Sequence, residues 1–385
     1  MPHLRTRSGL VTLLKRLEFS PVVAIQGARQ TGKSVLAREL LTSQMKSAKY
    51  LTLDDKTQQT FAQESPQTFL SSAVDSGVKT LIIDEAQKSP ALFDAIKYQV
   101  DLNRVPGRFL LLGSTEFSLL QNIRESLTGR ISRIRLFPMT FHEVRGLEKA
   151  SKPISRAETL KYLSVGGMPA IAFVRDPGVR DQFFQDWIDL TVQRDIHQFK
   201  RLKLESDLAD SILRQTCVLE EPTAAAIAKA TRANHKKVGT HLKALCELFV
   251  ITAIQPHPSG TGKTIYLPLD SGIASYLGAS RERQLHVALM NERMADESYS
   301  NQRKKKFYYY RSSGKKMIHW VEEEAPGKIH AFQIFDRESI KKPDLELLKA
   351  FLVKNSGARA TLLAPIQGRT VHAAVSVQPW EVIWG

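Results

Sequence analysis

Residues 22–34 read Val22-Val23-Ala24-Ile25-Gln26-Gly27-Ala28-Arg29-Gln30-Thr31-Gly32-Lys33-Ser34, an apolar run followed by a loop that two glycines bound. Val22 to Ile25 are apolar without interruption, the pattern of a strand buried on both faces. From Gly27 the chain matches GxxxxGK[ST] in full, with Ala28, Arg29, Gln30 and Thr31 inside the loop. Ser34 and Val35 then open a helix-like segment that runs to Leu41. Such a loop turns successive backbone N–H groups toward a phosphate chain, and the helix behind it adds the positive end of its dipole. In this pattern the lysine, Lys33, reaches the β- and γ-phosphates and the Ser34 hydroxyl coordinates Mg²⁺. Gly27 through Val35 are therefore the candidate nucleotide-binding residues.

Outward from this loop, short apolar runs alternate with amphipathic segments, which predicts a parallel sheet with crossover helices. The expected strands are Tyr50 to Leu53, Leu81 to Ile83, Phe109 to Leu112 and Ile131 to Leu136, and the expected helices include Pro90 to Leu102 and Glu116 to Leu127. The run Leu81-Ile82-Ile83 delivers Asp84 and Glu85 at a strand's C-terminal end, where open α/β sheets bind ligands. Asp84 suits the Mg²⁺ shell and Glu85 is placed to polarise an attacking water, which implies hydrolysis. The next strand ends in Gly113-Ser114-Thr115. A hydroxyl there, Ser114 first, could hold that water, although Ser and Thr after glycine also cap helices.

Composition bounds the rest. The 385 residues, 42% hydrophobic and 24% charged, suit about two or three globular domains and exclude a fibrous or largely disordered chain. The net charge of +16 favours polyanionic partners. Two cysteines, Cys217 and Cys246, make no disulfide framework and no metal cluster, so a reducing cytoplasmic setting is expected. No apolar run is long enough for a membrane span, and the segment MPHLRTRSGL lacks the apolar stretch of a signal peptide.

The order of these motifs, continued by Leu127-Thr128-Gly129-Arg130 and Phe137-Pro138-Met139-Thr140-Phe141-His142-Glu143, resembles the AAA-type ATPases found as single chains in bacteria and archaea. Gly166-Gly167-Met168-Pro169 and Arg194-Asp195-Ile196 occupy the places of that family's later motifs, so the likeness covers nearly the whole chain. The resemblance implies ATP as the nucleotide and a five-stranded sheet in which the Gly-Ser-Thr strand lies between the phosphate-loop strand and the Asp-Glu strand. It also implies Arg130 as the arginine that senses the γ-phosphate, with Arg133 and Arg135 close by.

Beyond residue 148 the strand-helix alternation stops and the period becomes helical. From Thr223 a short helix pattern, a turn at Thr231-Arg232-Ala233 and a second amphipathic helix from Asn234 precede a strand pair, which spells a winged helix. Between Pro222 and Cys246 five basic residues meet no acid, and Lys236, Lys237 and Lys243 are the candidate DNA contacts. Winged helices also dock proteins, so a protein partner stays open. Gly260-Thr261-Gly262-Lys263-Thr264 resembles the end of a second phosphate loop, but His257 stands where the first glycine belongs, and a wing hairpin is expected.

In the relatives the last part resembles a restriction-endonuclease fold, whose chemistry needs an Asp and a Glu-x-Lys pair. The matching positions here are His319, Gln333 and Phe335, so a degenerate domain without nuclease chemistry is expected. Glu322, Glu323 and Glu324 read as a solvated acidic turn. Seven basic residues between 303 and 316 surround Phe307-Tyr308-Tyr309-Tyr310 without an acid, which suits either stacked single-stranded bases or a strand of partly buried tyrosines. The expected architecture is α/β throughout: an ATPase sheet at 1–147, a helical linker at 148–220, a winged helix at 221–280 and a nuclease-like domain at 281–385.

Overall fold

The computed structural model describes residues 5–45, 47–74, 77–117, 129–149, 152–199, 202–301, 304–314, 316–372 and 374–384. The expected helix from Glu116 to Leu127, together with Thr128, Arg303 and Lys315, therefore falls largely outside the described residues. The chain divides into two compact units: residues 1–139 with Glu247–Phe249 and Ser298–Asn301, and the remainder.

The first unit is built on five parallel strands, β1 (Val22–Gln26), β2 (Ala48–Thr52), β3 (Thr80–Asp84), β4 (Phe109–Gly113) and β5 (Ile131–Arg135), in the order β2-β3-β4-β1-β5. The Gly-Ser-Thr strand lies between the other two motif strands, as the resemblance implies. Every residue of β1, β3 and β4 is buried, which explains their unbroken apolar runs. Because side chains alternate along a strand, Val22, Ala24, Leu81, Ile83, Phe109 and Leu111 face one layer with Phe69, Leu92, Phe93 and Ile96. Val23, Ile25, Ile82, Leu110 and Leu112 face the other with Leu10, Leu13, Leu36 and Leu41.

The helices on these faces are α1 (Gly9–Leu17), α2 (Lys33–Val35), α3 (Lys56–Glu64), α4 (Pro66–Ala73) and α5 (Ala91–Leu102). Asp55 caps α3 by accepting from the Thr57 and Gln58 amides. The segment after the phosphate loop begins at Lys33 and continues from α2 as a π-type turn over Leu36–Leu41. Both strand edges of this sheet are less buried than its centre, with β2 only half-buried along its whole length.

The second unit starts with helices α6 (Phe141–Arg145), α7 (Arg156–Val165), α8 (Pro177–Ile188), α9 (Ser206–Val218), α10 (Ala224–Thr231) and α11 (His235–Glu247). Here the later family motifs prove to be packing devices. Thr140 and Glu143 form a reciprocal capping box for α6, and the Phe141 ring stacks on Trp384 at 4.7 Å. Gly166 has φ 73°, and a Cβ there would lie 1.9 Å from a carboxylate oxygen of Asp270. That carboxylate accepts from the Gly167 amide at 2.8 Å and the Gly272 amide at 2.9 Å. Burial raises the Asp270 pKa to about 6, against the pull of these amides.

Thr223 caps α10, Arg232 turns the chain in the left-handed region, and Asn234 accepts from the Lys236 amide at the start of α11. An antiparallel pair follows, β6 (Ile251–Pro256) and β7 (Ile265–Pro268), so residues 260–264 lie in a hairpin connection as expected. Next come α12 (Ser271–Tyr276), α13 (Arg281–Tyr299), β8 (Lys306–Arg311), β9 (Met317–Ala325), β10 (Lys328–Ile334), α14 (Glu346–Lys354), β11 (Arg359–Ala364), β12 (Thr370–His372) and β13 (Val375–Pro379). These strands form one eight-stranded mixed sheet, β12-β13-β11-β10-β9-β8-β6-β7, with β6 parallel to β8 through Gln255 and Pro256.

One expectation for this sheet is corrected, and of the two readings of the aromatic run the structure bears out the strand of partly buried tyrosines. Glu322, Glu323 and Glu324 lie on β9 and not in a turn, and Glu322 is buried, with the Trp320 indole N–H donating to it at 3.0 Å. The basic run on β8 also has acids beside it. The antiparallel register sets Lys306 opposite Glu323, and Lys305 lies 3.4 Å from Glu324. Tyr309 and Tyr310 are buried in the sheet, with the Tyr309 hydroxyl donating to the Lys263 carbonyl at 2.6 Å, so they form no stacking platform for bases.

Candidate nucleotide-binding site

The loop Gly27–Gly32 leaves the C-terminal end of β1 and leads directly into α2. A Cβ on Gly27 would lie 2.2 Å from the Leu136 carbonyl oxygen, so the close approach of β1 and the chain beyond β5 admits only glycine. Lys33 is buried and donates from Nζ to the Gly27 and Ala28 carbonyls, both at 2.8 Å. Desolvation lowers its pKa to about 8, against the opposing pull of Glu85 and Asp84 and with a further lowering by Arg29. The lysine is thus folded back on the loop and within the field of both carboxylates.

Those carboxylates end β3. Asp84 accepts the Glu85 backbone N–H at 2.9 Å through Oδ1 and the Tyr50 hydroxyl at 2.5 Å through Oδ2. Glu85 sits at φ 54°, in the left-handed region, and is buried. A non-glycine residue holds that backbone only where its surroundings over-determine it. Two side chains do so here: Ser114 Oγ donates to Glu85 Oε2 at 3.0 Å, and Gln87 Nε2 donates to the same oxygen and to Ser114 Oγ. Both donors converge on Oε2, while among the described residues Gln87 Oε1 is buried without a hydrogen-bond partner. Thr115, the other hydroxyl of that motif, is buried, and Oγ1 has no partner among the described residues.

The structure brings together Gly27, Ala28, Arg29, Gln30, Thr31, Gly32, Lys33, Ser34, Asp84, Glu85 and Ser114 at the C-terminal ends of β1, β3 and β4. Val35 continues α2 and is exposed. Arg130 is placed elsewhere. It precedes β5, whose first residue Ile131 is level with Val22 at the opposite end of β1, and it forms a two-pronged ion pair with Asp101. Arg135, level with Gln26, is the arginine at the loop's end of β5, and its guanidinium stacks 4.5 Å over the Phe137 ring.

Three residues at this site went unread in the sequence. Arg7 is buried and donates to the Thr31 carbonyl and the Phe137 carbonyl, each at 2.7 Å, tying the phosphate loop to the segment after β5. Tyr50 belongs to the edge strand, and Gln87 follows Glu85 by two positions. Only Gln87 carried a local signal, as an amide just beyond a pair of carboxylates.

Elsewhere, Lys236 and Lys243 are exposed on α11, while Lys237 pairs with Glu205. In the second unit His319, Gln333 and Phe335 line one cavity of about 660 Å³ together with Glu282, Arg311 and Asp344. His319 accepts the Ile334 amide at 3.1 Å through Nδ1 and meets Glu282 at 3.0 Å through Nε2. Among the described residues no cluster of three His, Cys, Asp or Glu side chains is arranged to hold a metal ion, and no helix is long and apolar enough to cross a membrane.

A family model described as an AAA domain matches residues 19–145, and one described as a domain of unknown function matches residues 156–283. Uncharacterized proteins of Mycobacterium tuberculosis and Mycobacterium bovis are each 36% identical over 140 residues, which is 36% of this chain. The match spans 30% of the length of these curated relatives. Among solved structures, a Walker-type ATPase of Pyrococcus abyssi is 16% identical with a TM-score of 0.44, covering 70% of this chain and 94% of its own. A signal transduction ATPase with numerous domains and a tetratricopeptide repeat sensor, from Pyrococcus horikoshii, is 14% identical with a TM-score of 0.31, covering 77% of this chain and 47% of its own.

Proposed function

We propose that this chain binds and hydrolyses ATP with Mg²⁺ and uses the nucleotide state as a switch or motor acting on DNA or on a DNA-bound partner. The observation that carries the hydrolytic part is the convergence on Glu85. A buried carboxylate at the end of β3, beside Asp84 and Lys33, has one oxygen fixed by Ser114 and Gln87. Fixing Oε2 in this way leaves Oε1 to accept the proton of an attacking water, the geometry a general base needs.

An oxygen-only set, the Ser34 hydroxyl and the Asp84 carboxylate, suits a hard divalent cation. Bound Mg²⁺ neutralises charge on the β- and γ-phosphates as it develops. The remaining roles belong to the chain. Lys33 exchanges its two loop carbonyls for phosphate oxygens, and the loop amides supply further donors. Arg7 keeps Thr31 in place while Lys33 swings. Where an arginine completes the γ-phosphate site through Arg130, it comes from a second copy of the chain.

In this reading residues 1–147 are the ATPase module, 148–220 a linker, 221–280 a winged helix and 281–385 a nuclease-like domain without nuclease chemistry. DNA contact is assigned to the face of α11 that carries Lys236 and Lys243. The alternative, a regulatory scaffold whose ATP state controls protein docking with little turnover, is favoured by one observation: Lys237, Lys305 and Lys306 each have an acid of the same unit within ion-pair distance. ATP hydrolysis measured with and without duplex and single-stranded DNA separates the two. Stimulation supports the DNA-linked switch, and an unchanged rate at low and moderate salt supports the scaffold.

A further inference from the structure

Of the two groups assigned to the cation, the Ser34 hydroxyl and the Asp84 carboxylate, the carboxylate already has a side-chain hydrogen-bond donor. Tyr50 lies on β2, level with Ile82 of β3, two residues before the position that pairs with Asp84. Its ring packs on the apolar layer formed by Ile25, Leu36, Leu41 and Ile82. That packing directs the hydroxyl toward the end of β3, where it donates to Asp84 Oδ2 at 2.5 Å. Asp84 Oδ1 is already taken by the Glu85 backbone N–H. Both carboxylate oxygens therefore accept a hydrogen bond, the one on Oδ2 from a side chain.

We propose that Tyr50 is a built-in competitor for the cation position, its hydroxyl donating to Asp84 and giving way when a divalent cation enters with the nucleotide. Mg²⁺ needs ligand oxygens at roughly 2.0–2.1 Å in near-octahedral order. A phenolic O–H held on Oδ2 competes with the cation for that oxygen. The device has two consequences. It gives the Asp84 charge a hydrogen-bond donor before a cation arrives, so that the carboxylate repels an incoming polyphosphate less. It also couples cation entry to the edge strand β2, whose tyrosine must move for Asp84 to coordinate. The inference rests on the nucleotide reading of the site above.

The test is Tyr50→Phe in the full chain, which keeps the ring and its packing and removes only the hydroxyl. Mn²⁺ binding in the presence of ADP is followed by electron paramagnetic resonance of the free ion, with no turnover involved. Removing a hydrogen bond to a charged group tightens Mn²⁺ by about tenfold in the variant. In EDTA, where the bare carboxylate faces the phosphates, binding of a fluorescent ADP analogue weakens severalfold. A Mn²⁺ half-saturation that is unchanged or weaker in Tyr50→Phe overturns the competitor role while leaving the nucleotide site intact. Failure of the wild-type chain to bind Mn²⁺ with ADP overturns the reading of the site, and this inference with it.

Discussion

Lys33 and Lys306 both lie in stretches of sequence without a neighbouring acid, and folding gives them opposite surroundings. Lys33 is drawn into a loop whose own carbonyls hold it, beside two carboxylates that another strand delivers. Lys306 stays largely in solvent, 4.0 Å from Glu323 on the adjacent antiparallel strand. The phosphate loop works through consecutive residues, since its backbone amides, its glycines and its lysine are local. A basic run works through its net field, and that field includes every charge the tertiary pairing brings alongside. Specific chemistry in this chain therefore concentrates at the ends of β1, β3 and β4. The basic character of β8 is offset where it arises.

The sharpest way to break this comparison is to remove the lysine from each side. Lys33→Ala is expected to lower ATP affinity about a hundredfold, through loss of charge-assisted contacts to phosphate, as read by titration with a fluorescent ATP analogue. Lys305→Ala with Lys306→Ala should leave ATP affinity unchanged. A comparable loss in both variants would erase the distinction.

Next in size is the response to pH. Burial holds the Lys33 pKa at about 8, and contact with a phosphate would raise it. Bound protein therefore keeps a proton that free protein loses, so ATP affinity is full below pH 8 and falls above it, by up to about tenfold per unit. A flat profile between pH 7 and 9.5 would show that Lys33 is not the group that meets phosphate.

Within the site, Gln87→Ala and Ser114→Ala each release one donor from Glu85. Turnover is expected to fall about tenfold in each, with the ATP dissociation constant unchanged, and the double variant should fall less than the product because the two share one oxygen. The smallest effects belong to the sheet surface. Glu323→Gln with Glu324→Gln should cost less than about 1 kcal/mol in urea unfolding, since exposed pairs contribute little. Any DNA binding by this variant should become steeper in salt than that of the wild type, whereas Lys236→Ala with Lys243→Ala should flatten the slope.

Much of the first unit was legible because its signals are periodic or contiguous. LIID and FLLLG mark strands buried on both faces, and GARQTGKS marks the loop. The half-buried β2 was found only approximately, and α1, α3 and α4 were not singled out, since their apolar positions make sense only against the sheet they cover. Arg7 and Tyr50 were invisible for a related reason, because each reaches its partner across strands that the sequence does not place side by side. Arg130 shows the converse: a motif fixed its identity, while the parallel register puts it at the end of β5 away from the loop, beside Asp101. The acidic run on β9 read as a turn because three consecutive glutamates look solvated. Its pairing with β8 is a property of register and not of composition.

The central claim is that Glu85, held by Ser114 and Gln87, activates water for ATP hydrolysis while Lys33 and the loop hold the phosphates. Phosphate release by Glu85→Gln, measured beside ATP binding by the same variant, tests it most directly. The account predicts that turnover falls by roughly a hundredfold or more, as expected for loss of a general base, with ATP affinity retained. Hydrolysis at the wild-type rate by Glu85→Gln would contradict it.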